Sequence, residues 1–318
     1  MPSLSVNGIR DSADFDADKM TVTATLVITT KNRKEELRNA LASALRQSEP
    51  LEIIVIDDGS TDGTSEMVCR EFPSVRLERS EISLGLIAQR NRGAALAEGD
   101  VIFSIDDDAE FSNSDVVMHT LADFAGHEEI GAVAIPYIEP HKQNMVQQKA
   151  PDEEGVWAVS TYIGTAHAVR RELFLKLGGY RELLVHQGEE NDFCIRLMDD
   201  GYYVRLGNAP MILHHESPKR DFSRMDYYGA RNAVLFAWQN VPWPYLPIHL
   251  IVTTGKCLMW SWEPARLRIR ARALWEAWKM IPTLERKAVR AETYRRFREL
   301  RQAWRMGYRE GLVVWPLL

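Results

Sequence analysis

The sequence is poor in cysteine, and its three cysteines, Cys69, Cys194 and Cys257, lie far apart. This spacing forms neither a metal-binding cluster nor a disulfide framework, so it excludes a disulfide-stabilised scaffold and favours a reducing compartment. Residues 1–20 are polar and lack the apolar core of a secretory signal, so we expect a flexible leader and a cytoplasmic location. Internal repeats and low-complexity tracts are also lacking, which argues against a solenoid.

Long apolar runs are lacking too. Residues 246–262 come closest, but they contain His249 and Lys256 and are shorter than the roughly 20 apolar residues that a membrane span needs. The segment 266–309 that follows has 14 Lys or Arg against 4 Glu, in a chain with a formal net charge of -6. Trp260, Trp262, Trp275 and Trp278 lie beside or within its first part. The segment is thus either a solvated helical hairpin or a peripheral membrane-binding region. In the second case it would contact anionic lipid on the inner face of the plasma membrane.

Residues 23–136 alternate between two kinds of pattern. Short apolar runs such as 53–56 and 101–105 are typical of buried parallel strands, and the segments between them have helical periodicity. This alternation predicts an α/β fold, with a Rossmann-like, mostly parallel sheet flanked by helices. Residues 139–155 are polar and predict a loop. From residue 226 onward the pattern is helical, with breaks at prolines, and predicts a helical C-terminal extension.

Acidic clusters follow two of the predicted strands: Asp57-Asp58 and Asp106-Asp107-Asp108. Unpaired carboxylates are costly inside a sheet, so each strand must end before its acids. Ligands of open α/β sheets bind at the carboxyl ends of the strands. Clustered carboxylates suit Mg²⁺ or Mn²⁺, and a cation there attracts phosphate, so the pattern favours a metal-assisted site for a diphosphate-linked substrate over a solvated acidic turn.

A series of six motifs resembles family 2 glycosyltransferases with the GT-A fold, over roughly residues 23–235. In chain order the motifs are VITTKNR at 27–33, IVIDDGSTDGT at 54–64, NRG at 91–93, IDDD at 105–108, GGY at 178–180 and GEENDF at 188–193. The resemblance implies an inverting transferase that uses a nucleotide-sugar donor. We therefore expect a leader (1–20), a catalytic domain (21–235) and a helical region (236–318). Within the catalytic domain, residues 21–136 are the expected donor half and residues 137–235 the expected acceptor half.

The resemblance also assigns residues. It implies that Thr29, Asp57 and Asp58 hold the nucleotide base and ribose, and that Asp106 and Asp108 bind the ribose and the divalent ion, with Asp108 as the direct ligand. Asp107 in the same motif and Arg90, on the helix before the triple acid, are further candidates for donor binding; a solvated helix face is the alternative for Arg90. Lys31 stands where the family often has an aromatic residue, which leaves the preference for a base open.

The catalytic base is expected in the second acidic pair. The family usually has Asp where this chain has Glu190, so Glu189, Glu190 and Asp192 compete for the role, and Glu190 is favoured. Asp192 has a structural alternative as the i, i+4 partner of Arg196. His214-His215 follow a predicted strand, and because neighbouring strand residues point to opposite faces, at most one of them faces the site. The resemblance favours His214, near the metal.

Glycosyl transfer needs a cation to neutralise the leaving diphosphate and a carboxylate to take the acceptor proton. The expected partners are therefore Mn²⁺ or Mg²⁺, a UDP-, dTDP- or GDP-sugar, and a cell-surface glycan or lipid-linked acceptor, with no nucleic acid. One alternative is a sugar nucleotidyltransferase, although residues 30–33 lack the glycines that grip a triphosphate. The other is a non-catalytic nucleotide-sugar-binding module, which would not need both Asp108 and Glu190.

Overall fold

The structure is a computed structural model that describes residues 22–141, 143–215, 221–259 and 263–305. The predicted leader and two of the tryptophans, Trp260 and Trp262, lie outside the described residues. Within these ranges the strands are β1 (Ala24–Thr30), β2 (Leu51–Asp57), β3 (Arg76–Arg79), β4 (Val101–Ile105), β5 (Ala109–Phe111), β6 (Ile130–Ala134), β7 (Tyr137–Glu139), β8 (Gln143–Gln147), β9 (Ala158–Val159), β10 (Ala166–Arg170), β11 (Tyr203–Leu206) and β12 (Ile212–His214). The α-helices are α1 (Lys34–Ala44), α2 (Thr64–Glu71), α3 (Leu86–Leu96), α4 (Val116–Ala122), α5 (Arg171–Lys176), α6 (Glu189–Asp199), α7 (Phe222–Asn240), α8 (Tyr245–Met259), α9 (Pro264–Met280) and α10 (Ala291–Arg305).

The main sheet has eight strands in the order β3-β2-β1-β4-β10-β6-β11-β9. The first four are parallel to one another, and β6 and β11 run in the same direction. Only β10 and β9 of this sheet are antiparallel to their neighbours. The mostly parallel α/β fold predicted from the alternating pattern is therefore confirmed.

Two apolar cores lie on opposite faces of this sheet. Alternate residues of a strand enter different cores: Leu26 and Ile28 of β1 face one core, whereas Val27 faces the other. Helix α1 packs on the first core through the apolar stripe that begins at Leu37, and α3 packs on the second through Ile87. Because the strands are buried on both faces, their sequences are continuously apolar.

A second sheet of four strands, in the order β5-β12-β7-β8, extends from the carboxyl end of β4. It includes the hairpin of β7 and β8, so the prediction of a loop over residues 139–155 is wrong for its first part. The pattern failed because β8 is an edge strand, held to β7 by backbone hydrogen bonds rather than by apolar alternation.

The C-terminal part of the described chain is helical, as predicted. Helices α8 and α9 both pack against α7, and α10 packs against α6. The predicted boundary between residues 235 and 236 falls inside α7, which runs unbroken to Asn240. Among the helices that the structure describes, none combines the length and the apolar character needed to cross a bilayer.

Candidate active site

Asp57 and Asp58, at the end of β2, accept hydrogen bonds from other groups of the protein. Asp57 is fully buried; it accepts a hydrogen bond from the backbone N of Ser60 at 2.8 Å and another from the hydroxyl of Ser65. The buried Asp58 accepts hydrogen bonds from the backbone N of Leu84 at 2.7 Å and from the side-chain amide of Gln89 at 2.6 Å. Burial alone would raise the pKa of Asp58, but these donors lower it. Both carboxylates therefore shape the loops beside the expected nucleotide site.

The two other residues expected at the nucleotide lie at the end of β1. Thr29 is half-buried, and Lys31 is exposed just beyond the strand. The neighbouring Thr30, which the sequence did not single out, is buried and donates a hydrogen bond to Asp107 Oδ2 at 2.8 Å.

The triple acid follows β4 directly, as the sequence predicts. Its middle residue, Asp107, is buried and also accepts a hydrogen bond from Arg33 Nη1 at 3.2 Å. Burial raises the pKa of Asp107 to about 7, although Arg33 and Thr30 oppose the shift. The side chain of Asp107 is thus held within the protein, and the two flanking acids are left to face a ligand.

Asp106, Asp108 and His214 form the candidate metal centre. Their ligand atoms all lie within 4.8 Å of one another. His214 Nε2 is 3.3 Å from Asp108 Oδ1 and 3.8 Å from Asp106 Oδ2, and its Nδ1 is 3.5 Å from Glu139 Oε1. Two carboxylates and an imidazole are a donor set that Mn²⁺ or Mg²⁺ accepts. Of the predicted histidine pair, His214 is the one in this cluster, while His215 lies 3.3 Å from Glu110.

Other side chains of the protein also hold the carboxylates of this cluster. Arg33 Nη1 is 2.5 Å from Asp108 Oδ2, and the hydroxyl of Thr165 donates to Asp106 Oδ2 at 2.9 Å. Burial would raise the pKa of Asp108, but His214 and Arg33 hold it at about 2. Burial would likewise lower the pKa of His214, but Asp108 and Asp106 raise it. Asp108 is therefore ionised at neutral pH, as a carboxylate metal ligand must be.

Arg90 connects this cluster to the second acidic pair. Its Nη2 is 2.8 Å from Asp106 Oδ1, and its Nη1 is 3.4 Å from Glu189 Oε1. The same Nη2 donates to the carbonyl oxygen of Gly164 at 3.1 Å. Arg90 is buried, so the prediction that it belongs to the site is favoured over a solvated helix face. Because Arg90 contacts acids from both the IDDD and the GEENDF motifs, it fixes the position of one motif relative to the other.

Glu189 and Glu190 form the first turn of α6. Glu189 is buried, with Oε2 left unpaired among the described residues, whereas Glu190 is half-buried. Burial, and next the neighbouring Glu190, raise the pKa of Glu189 to about 8. Burial raises the pKa of Glu190 as well, and Arg90 only partly offsets it. Burial therefore outweighs the helix N-terminus, and both carboxyl groups hold a proton more readily than an ordinary glutamate does.

Close packing fixes the position of Glu190. A Cβ added to Gly164 would lie 2.6 Å from Glu190 Oε1 and 2.7 Å from Arg90 Nη1, so only glycine leaves room for both groups. The loop that leads into α6 is held by Asn232 of α7, whose amide donates to the carbonyl oxygens of Leu184, His186 and Gln187. Helix α7 thus sets where α6 begins.

Asp192, the third candidate for the base, does not join this group. It is fully buried, forms ion pairs with Arg181 and Arg196, and accepts a hydrogen bond from the amide of Asn240 at 2.8 Å. The predicted i, i+4 pair with Arg196 is present, with Arg196 Nη2 3.0 Å from Asp192 Oδ2. The contacts of Asp192 therefore favour the structural role, as the ion-pair partner of Arg196, over the role of catalytic base.

Four contributors to the site were missed in the sequence: Thr30, Arg33, Gly164 and Thr165. The first two lie inside the TTKNR motif, and their position at the end of β1 and just beyond it was a usable signal. Gly164 and Thr165 lie in the turn before β10, which brings them to Asp106 because β10 pairs with β4. That pairing is antiparallel and distant in sequence, so no local pattern indicates it.

Residues 25–178 match the model of "Glycosyl transferase family 2", a range that includes the triple acid and ends before α6. The chain is 25% identical over 268 residues to chondroitin synthase of Escherichia coli; the match covers 69% of this chain but 38% of that protein. It thus spans well under two thirds of that relative's length.

Solved structures show the same fold. A mannosyltransferase from Pyrobaculum calidifontis, in complex with GDP-Man and Mn²⁺, superposes with a TM-score of 0.57 at 21% identity and covers 82% of this chain and 76% of its own. Residues 1–349 of S. aureus TarS, in complex with UDP-GlcNAc, superpose with a TM-score of 0.60 at 17% identity. The superposition covers 91% of this chain and 93% of the TarS chain. The fold is of the GT-A type, and residues 25–178 are similar to glycosyl transferase family 2.

Proposed function

We propose that the chain is an inverting glycosyltransferase that moves a sugar from a nucleotide-sugar donor to a hydroxyl of a glycan or lipid-linked acceptor. The observation that carries the proposal is the buried Arg90, which joins the Asp106 cluster to the pair Glu189 and Glu190. A site for a leaving diphosphate and a site for a base are thereby fixed side by side. The comparisons favour neither of the two alternatives, a sugar nucleotidyltransferase or a non-catalytic binding module.

Asp106, Asp108 and His214 are the residues that would hold the divalent ion. When bound, such an ion neutralises the charge that develops on the departing diphosphate. The protein prepares this site by keeping Asp108 ionised and by holding the carboxylates of Asp106 and Asp108 with Arg33, Arg90 and Thr165. The mannosyltransferase of P. calidifontis, which was solved with Mn²⁺, supports the assignment of a metal.

Glu190 is the proposed base. It takes the proton of the acceptor hydroxyl while the acceptor oxygen bonds to the anomeric carbon and the bond from that carbon to the diphosphate breaks. A single base on the face opposite the leaving group suffices for inversion, because no covalent intermediate forms. Glu190 is favoured over Glu189 because it is the more exposed of the two and Glu189 lies against Arg90. Its raised pKa makes it a stronger base than an ordinary glutamate.

Thermal stability in the presence of donors tests the proposal. The full chain is heated with UDP-, GDP- and dTDP-sugars, each with Mn²⁺ and with EDTA. A ligand that binds only the native state increases the free energy of unfolding by about 2.7 kcal/mol at a hundredfold excess over Kd. The melting temperature rises as a consequence. We expect a metal-dependent shift with one nucleotide. An equal shift in EDTA would contradict the metal assignment, and the absence of a shift with every donor would contradict nucleotide-sugar binding.

A further inference from the structure

Helices α8 and α9, together with Trp243 just before α8, carry exposed apolar side chains that form a surface outside the candidate active site. We call it the tryptophan face and define it by Trp243, Ile248, Ile251, Val252, Met259, Trp275 and Trp278. These seven residues are half of the fourteen large hydrophobic residues that are exposed in the described chain, and they fall within 36 consecutive positions. Single exposed apolar residues are ordinary, but such a concentration marks an interaction surface.

The apolar residues of α8 form one stripe. Ile248, Ile251, Val252 and Met259 follow helical spacing, and the exposed fractions of Ile248 and Ile251 are 70% and 73%. Only Leu246 and Leu250 of this helix are fully buried. Helix α8 therefore buries one edge against the protein and turns an apolar stripe to the outside, where no described residue covers it.

The outer side of α9 combines tryptophan with basic residues. Arg268, Arg272, Trp275 and Lys279 are exposed at intervals of three or four positions, so they lie on one side of the helix. Arg268 and Arg272 make no ion pair with any residue in the described ranges. Helix α8 itself contains no acidic residue and adds the exposed Lys256.

We propose that the tryptophan face binds the surface of an anionic lipid bilayer, with α8 lying in the plane of the membrane. The fifteen residues of α8 extend about 22 Å, too short to span but sufficient to lie flat with one apolar side in the lipid. Tryptophan is enriched at the membrane interface, and each basic residue near an anionic surface adds to binding. The basic charge, in a chain with a net charge of -6, complements anionic lipid.

Sedimentation with lipid vesicles tests this inference independently of donor binding and transfer. The full chain is mixed with phosphatidylcholine vesicles, with or without phosphatidylglycerol, at low and high salt. We expect binding to the anionic vesicles that weakens at high salt. The double variant Ile248→Glu/Ile251→Glu should lower the partition coefficient by at least about 100-fold. Arg268→Gln/Arg272→Gln should lower it by about 30-fold at low salt.

The matched control is Met118→Glu/Leu175→Glu, which adds two acids at exposed apolar positions on α4 and α5. It should bind vesicles like the unsubstituted chain, and circular dichroism checks that each variant is folded. Three results would overturn the inference: no binding to anionic vesicles, equal binding of the Ile248→Glu/Ile251→Glu variant, or self-association through this face without vesicle binding. The last result would identify the face as an interface between copies of the chain.

Discussion

The substitution Gly164→Ala tests how tightly the site is packed around Glu190. The added Cβ would lie 2.6 Å from Glu190 Oε1, and an ordinary contact begins at 3.4 Å, so the carboxylate or the backbone must move by about 0.8 Å. The same carbon would lie 2.7 Å from Arg90 Nη1. A misplacement of about 1 Å costs roughly 100-fold in rate, so we expect kcat to fall by about 10- to 100-fold.

The stability cost of this change should be moderate. Overpacking of a buried position costs about 1–3 kcal/mol, and Gly164 does not have the positive φ that would strain an alanine. The variant should therefore fold and still bind the nucleotide-sugar donor. The assay is release of nucleoside diphosphate from the donor, with water in place of the acceptor, measured beside the melting temperature.

Gly255→Ala is the matched control. Gly255 lies in α8, and a Cβ added there meets no atom within 4 Å. This variant should keep the original rate and gain about 0.5–1 kcal/mol of stability, because alanine is the better residue in a helix. If Gly164→Ala released nucleoside diphosphate as fast as Gly255→Ala, the proposed position of the base beside Gly164 would be wrong.

Three further predictions concern the charged groups. Asp108→Asn should abolish the Mn²⁺-dependent rise in melting temperature that the donor produces; an unchanged rise would remove Asp108 from the metal site. Arg90→Met should lower the free energy of unfolding in urea by about 1–3 kcal/mol, because it leaves the carboxylate of Asp106 and the carbonyl oxygen of Gly164 without their donor; a midpoint equal to that of the unsubstituted chain would contradict the bridging role. The pKa of Glu189 is about 8 in the folded chain against an ordinary 4.5, so the folded state binds the extra proton and stability falls as pH rises through this window. Glu189→Gln should flatten that fall, and an unchanged slope would show that Glu189 is not its source.

The sequence was sufficient for the parallel strands β1, β2 and β4, the helices between them and the acids at the ends of β2 and β4. These features are local: continuous apolar runs form β1, β2 and β4 because both faces of the sheet are covered. At β4 the strand ends before its acids, as expected, whereas β2 includes Asp57, whose buried carboxylate accepts hydrogen bonds from Ser60 and Ser65. The same continuous apolar runs also imply that an apolar core covers each face of the main sheet.

The partners of those acids could not be predicted, because they come from distant parts of the chain. Asp107 bonds to Thr30, 77 positions earlier, and Arg90 pairs with Glu189, 99 positions later. Asp58 and Asp192 illustrate the same limit, because the groups that bind their carboxylates, such as Gln89 and Asn240, are 31 and 48 positions away. A motif gives the residue types of a site, but the tertiary contacts decide which of them face a ligand.

The measurement that tests the central claim most directly is the activity of Glu190→Gln. Donor affinity and the rate of nucleoside diphosphate release are measured on the same preparation, with Glu189→Gln beside it. If Glu190 is the base, its loss should leave the donor Kd within about threefold and lower the rate by roughly 100- to 10,000-fold. A rate within about tenfold of the unsubstituted chain, with the donor still bound, would contradict the assignment of Glu190 as the base.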